Sequence, residues 1–210
     1  MRNILKKSKC LFLAIIIFGF GCAHMPKNNP ANPIRKVAVL PMVNNTSDMD
    51  GPELVRKGFN KLVRSKYYEV MGIPQIDEIL RDRMGITLGG QLGLTNAQKL
   101  GEELGVDGVV YGELLDFNYT ITGFYNSKVV RAKFKLVSTK TGDTVWEREE
   151  KVQKSEISFN SKNALESFKG NLSSKIISKA VRISPLQGET NELVYKFYST
   201  FPAGPVGVGK

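Results

Sequence analysis

The stretch FKLVSTKTGDTVWE, residues Phe134 to Glu147, reads as two strands and the turn that joins them. Lys140-Thr141-Gly142 is a three-residue hairpin loop with glycine in the left-handed position that such loops require. Pairing Thr139 with Asp143 then sets Leu136 against Trp146, Lys135 against Glu147 and Lys133 against Glu149. Apolar partners and opposite charges meet in that register, which supports the hairpin. Upstream, Val130, Ala132, Phe134 and Leu136 alternate with Arg131, Lys133 and Lys135, the pattern of a half-buried strand with a basic outer face. Further back, Val106 to Phe117 is strand-like, and Tyr119, Ile121 and Tyr125 continue an alternation on one face.

Lys36-VAVLP-Met42 is apolar on both faces and predicts a buried strand. A helix follows from an Asp50 cap. Its inner stripe is Leu54, Val55, Phe59, Leu62 and Val63, with Arg56, Lys57, Lys61 and Arg64 on the opposite side. Tyr67 to Met71 makes a second short strand. Pro74 opens another helix with an Ile76, Ile79, Leu80 and Met84 stripe. GITLGGQLGL, residues 85–94, reads as a connector. Thr95 and Gln98 form a capping box for a third helix, and Gly105 stops it. An amphipathic helix is expected from Asn160 to Ile183, ended by Pro185. Helices interleaved with strands predict an α/β (α+β) domain over 36–183, a mixed sheet of three-layer type with helices packed on it. Beyond it, 184–210 is an aromatic tail that packs on the domain or on a partner.

The N-terminus is a targeting segment. Arg2, Lys6, Lys7 and Lys9 precede an apolar run from Leu11 to Phe18 and a small-residue site ending in Cys22. With the cysteine at the cleavage point, residues 1–21 resemble a bacterial lipoprotein signal. That resemblance implies a diacylglycerol and an N-acyl chain on Cys22 and no other cofactor. Ala23 in place of Asp implies the outer membrane. Residues 22–35, polar and with three prolines, read as the lipidated cysteine and a flexible linker reaching about 40 Å.

The net charge of +10 falls to about +6 without residues 1–21, which hold four of the 30 basic residues and none of the 20 acidic ones. That excess is dispersed and lacks a reader motif, so nucleic acid is not an expected partner. Cys10 and Cys22 are the only cysteines. The domain beyond Cys22 therefore has no thiol for a disulfide, and its stability must come from packing.

KVAVLP with a helix behind it, LGVDGVVYGELLDF and FKLVSTKTGDTVWE, in this order, resemble the periplasmic domain shared by three groups. These are the curli secretion lipoprotein (CsgG-like), the lipoprotein activators of penicillin-binding proteins, and the N-terminal domain of TolB. Within that group the chain is most similar to a family of small bacterial lipoproteins that share the Gly-rich middle loop and a tail ending in Pro-Ala-Gly-Pro. The similarity spans about 34 to 205 and implies protein binding without catalysis. A curli-type channel needs two membrane hairpins per subunit, and only Leu114 to Tyr125 with Val129 to Leu136 qualifies here.

The residues point the same way. His24, the sole histidine, lies in the linker, so no histidine triad or histidine metal site is expected in the domain. No S-x-x-K motif is present. Gln91 stands where a phosphate-binding loop needs Lys. Asp77, Glu78 and Asp82 read as a solvated helix face among Arg81 and Arg83. The candidate partner surfaces are Tyr119 and Tyr125 at a sheet edge, open to strand addition or edge pairing in a homodimer, and Tyr195, Phe197, Tyr198 and Phe201 in the tail. The expected function is a membrane-anchored, periplasm-facing adaptor in envelope assembly or export, with a protein partner. A secretion-channel subunit and an activator of a cell-wall synthase are the alternatives.

Overall fold

Why the chain forms a mixed sheet is visible at its first strand. In a computed structural model, Val37 and Val39 face one core while Ala38 and Leu40 face the other, and all four are fully buried. A strand apolar on both faces needs a layer on each side. The structure describes residues 28–122, 125–157 and 184–206, with helical positions 166, 169, 170, 172 and 173 between the last two segments. The helix expected over 160–183 otherwise lies outside the described residues, as do 1–27, Gly123 and Phe124.

The elements are β1 (Lys36–Val39), β2 (Val43–Asn44), α1 (Gly51–Ser65), β3 (Glu69–Val70), α2 (Ile73–Met84), a 3₁₀ turn (Gly89–Leu94), α3 (Ala97–Leu104), β4 (Gly108–Ile121), β5 (Tyr125–Ser138), β6 (Thr144–Ile157) and α4 (Gln187–Thr200). Sheet order is β3-β1-β4-β5-β6, with β2 also on β4. β1 runs parallel to β3 and β4, whereas β4, β5 and β6 form an antiparallel meander. α1 and α4 pack on one face and α2 and α3 on the other. The expected three-layer α/β architecture is the one observed.

Leu136 does face Trp146, Lys135 faces Glu147 and Lys133 faces Glu149. The turn reaches that register by a different route. Ser138, not Thr139, closes it, its N–H donating to Asp143 O and its carbonyl accepting from Gly142 N–H. Thr139 is drawn away because its N–H bonds Asp107 O and its hydroxyl bonds Val106 O. The extra loop residue is absorbed by an irregularity between Leu136 and Val137, which restores the pairing beyond it. Gly142 has φ +82°, as the turn demands. The ion pairs are diagonal: Lys133 with Glu147 and Arg131 with Glu149. Lys135 lies over the Tyr111 ring instead.

Three local expectations are corrected. The α1 N-terminus is capped by the Asp48 carboxylate, which accepts from the N–H groups of Asp50 and Gly51. Asn96, not Thr95, caps α3 by accepting from Lys99 N–H at 2.9 Å. Residues 85–94 are more than a connector, because Gln91 Oε1 accepts from Thr87 and Leu88 N–H and locks the 3₁₀ turn.

The ends of the domain are corrected as well. Residues 28–35 are not a linker: Asn29 N–H donates to Gly204 O, Asn28 Nδ2 to Pro205 O, and Asn32 Nδ2 to both Ala203 O and the Tyr68 hydroxyl. Gly204 and Val206 N–H donate in turn to Lys66 O and Tyr67 O. The tail from 184, expected to pack on the domain or on a partner, packs on the domain and is part of it: it contains α4, whose Leu193, Phe197 and following Phe201 complete the core. Phe59 stacks on Phe134 at 3.8 Å between ring centroids, and Phe197 and Phe201 meet Phe59 edge-on at 5.6 and 5.5 Å.

Candidate functional site

The residues singled out for partner binding do not converge. Phe197 and Phe201 are buried in the aromatic core and are withdrawn as surface candidates. Tyr198 is half-buried, with the Lys66 ammonium 4.1 Å from its ring centroid; burial lowers the Lys66 pKa from its ordinary value. Of the tail aromatics only Tyr195 is well exposed, at 76%. Tyr119 and Tyr125 fall on opposite faces of the sheet, because Tyr119 continues the Leu114 and Phe117 face after the β4 bulge, while Tyr125 alternates with the inward Asn126. Tyr125 opens β5, which is paired on both sides, so it is not an edge residue. Tyr119 lies beyond Leu114, the last β4 residue that β2 pairs.

A cleft of about 570 Å³ lies elsewhere, at the C-terminal end of β1. Pro41 and Met42 line it, the loop before α1 contributes Met49, and the Gly-rich turn contributes Leu88. Both rim residues are large, apolar and in water, Met49 at 86% and Leu88 at 68% exposure. Gly89 makes this arrangement by close approach. A Cβ there would sit 2.2 Å from the carbonyl carbon and oxygen of Met42, so only glycine lets the turn lie on the β1–β2 connection.

Beneath the cleft, Arg56 is 3% exposed, although its helical position opposite the apolar stripe predicts solvent. Its guanidinium spans two elements. Nε and Nη2 donate to Val39 O at 3.0 Å, and Nη1 and Nη2 donate to the two Asp77 carboxylate oxygens at 3.0 and 2.8 Å. Such a bidentate pair is the arrangement that makes a buried guanidinium tolerable. Asp77 keeps 43% of its side chain in solvent but is more than the solvated helix face read from its neighbours: through Arg56 it ties α2 to α1 and β1. Sequence reasoning missed Arg56, Asp77, Met49 and Leu88 as one site. The available signal was slight, a single Met between Asp48 and Asp50 and a Leu ahead of two glycines.

A mixed sheet enclosed by two helical layers, with a cleft beside the end of β1, defines the class: a three-layer α/β domain. The chain belongs to the GNA1162-like lipoprotein family, whose profile, described as "Putative lipoprotein GNA1162-like", matches residues 27–185. Among solved structures it is similar to lipoprotein GNA1162 from Neisseria meningitidis, with a TM-score of 0.54 at 19% identity over 70% of this chain and 99% of that one. A PelC dodecamer subunit from Paraburkholderia phytofirmans matches with TM-score 0.48 at 14% identity over 88% and 95% of the respective chains. The LpoB C-terminal domain from Salmonella enterica matches with TM-score 0.41 at 15% identity over 57% and 83%. No curated protein matches the chain. Among the described residues, no helix is long and apolar enough to cross a membrane.

Proposed function

We propose that this protein is an outer-membrane lipoprotein facing the periplasm, held by the lipid on Cys22, and that it acts as a non-catalytic adaptor in envelope assembly or export. It grips a protein partner in the cleft between β1, α1 and the Gly-rich turn. The carrying observation is the pair Met49 and Leu88, exposed on an ordered rim above a floor of Pro41 and Met42. Apolar side chains that are exposed together beside one cleft, rather than scattered singly, offer a contact surface. Membership of a lipoprotein family supports the anchor. The adaptor is favoured over a channel because the alternate apolar positions of the meander, Leu114, Phe117, Val130 and Val152, are already buried under the domain's own helices.

The bonding of Asn28 and Asn29 to the C-terminal segment leaves only 23–27 as tether. Fully extended, that reaches about 20 Å, half the span expected from the composition of 22–35. The adaptor thus works close to the membrane surface. Three measurements test the proposal. Cys22→Ser should move the protein out of the membrane fraction, and unchanged fractionation sinks the anchor. A photo-crosslinking residue at Leu88 should capture a protein in cells that the same residue at exposed Lys140 does not; equal yields sink the cleft. A closed ring of about eight or more subunits, by light scattering of the detergent-extracted protein, would restore the channel.

A further inference from the structure

We propose that the cleft takes an extended partner segment in which lysine or arginine alternates with apolar side chains; this rests on reading the cleft as a protein-docking site. The charge of its walls carries the assignment. Glu53 and Asp77 line it with side chains 44% and 43% exposed. Arg56 is the one cation lining it among the described residues; its guanidinium is bonded to Val39 O and Asp77 and lies 3.7 Å from Glu53 Oε2, so one arginine is shared between two wall carboxylates and the lining keeps a net negative charge. An anionic ligand would meet two carboxylates with no free cation to receive it. Lys57 reaches Glu53 Oε1 at 3.2 Å from outside the cleft, a pair whose lysine is 61% exposed and therefore easily displaced by a better-placed cation.

The apolar half of the ligand is set by the rims. Met49 and Leu88 offer two anchors across the cleft, and a thioether adapts its shape to whatever it covers. Burying an apolar side chain there excludes water from Glu53 and Asp77, which strengthens their attraction for an adjacent ammonium or guanidinium. Global charge works against this binding. Without residues 1–21 the chain keeps 26 basic and 20 acidic residues, a net charge of about +6, so a cationic peptide is repelled by the molecule as a whole, and its capture requires a local site of opposite sign.

The test uses the full chain in a non-ionic detergent and two fluorescein-labelled nonapeptides, Gly-Lys-Leu-Lys-Leu-Lys-Leu-Lys-Gly and its counterpart with Glu for Lys, read by anisotropy. The lysine peptide should bind about tenfold more tightly than the glutamate peptide, with affinity falling as salt rises. Leu88→Ser should weaken it about tenfold, and Glu53→Gln about threefold with a flatter salt dependence. Circular dichroism confirms that both variants are folded, as surface positions should be. Equal binding of the two peptides, or a Glu53→Gln variant that keeps the parent's affinity and salt slope, overturns the assignment. If Leu88 crosslinks a protein in cells while the peptides are not distinguished, the charge assignment alone falls; if neither crosslink nor peptide binding occurs, the docking cleft itself falls. A dimer abolished by Leu88→Ser would make the occupant a second copy and also overturn it.

Discussion

Residues 28–35 and residues 85–94 make opposite use of their chemistry. The first segment is rich in asparagine and proline, yet its polar side chains are bonded: Asn28 and Asn32 hold Pro205 and Ala203, and Asn32 also donates to Tyr68. The second is rich in glycine and leucine, is held by Gln91, and sets Leu88 and Leu94 in water at 68% and 86% exposure. The difference teaches where stability ends and use begins. A polar segment wired to backbone closes the fold, while an apolar side chain on a rigid, uncovered turn is surplus to it.

The largest effect should come from the core under the closed end. Phe197→Ala removes a ring that touches Phe59, Phe134 and Trp146, and urea unfolding should show a loss of about 3 to 5 kcal/mol. A loss under 1 kcal/mol would show that α4 is an appendage. Next, Gly89→Ala drives a Cβ into Met42 backbone and should cost about 2 to 3 kcal/mol, with the cleft disrupted as well. A neutral result would mean that the turn is pliable and the contrast between the two segments false.

The closed end should also be sensitive to alkali. Burial pushes the Tyr68 hydroxyl up to about 12, against the opposing hydrogen bond from Asn32. Tyr68 is uncharged when protonated, so a folded pKa above the unfolded value of about 10 favours the fold below pH 10. That contribution is lost as pH rises from 10 towards 12, on the order of 2 kcal/mol. Thermal melts should therefore fall in this window, and Tyr68→Phe should flatten that part of the fall. An unchanged profile in the variant would remove Tyr68 as the cause.

Asn32→Ala breaks the bonds to Tyr68, Ala203 and Ile34 N–H, for about 1 to 2 kcal/mol. It should also raise hydrogen exchange at Gly204 and Val206. The smallest stability effect belongs to Leu88→Ser, within about 0.5 kcal/mol, with loss of partner capture. If Leu88→Ser destabilised the protein as much as Asn32→Ala, Leu88 would be structural and the cleft would lose its main anchor.

Periodicity alone determined much of this protein. The double-faced run at Lys36 to Met42 required two helical layers, and the alternation either side of Gly142 set the β5–β6 register, because side-chain direction in a strand follows a period of two. The N-terminus, basic then apolar and ending in Cys22, resembles a lipoprotein signal, and that resemblance, not periodicity, implied the lipid anchor. Tertiary structure decided the rest. Arg56 and Asp77 are 21 residues apart and meet only because α1 and α2 flank the end of β1. Phe197 and Phe201 became core because α4 covers a sheet face left open by α1. Asn28, Asn29 and Asn32 bond backbone far along the chain. None of these has a local pattern, since a side chain that bonds a distant backbone group leaves no period in its own neighbourhood. The cleft, made by such long-range meetings, could be found only in the folded molecule.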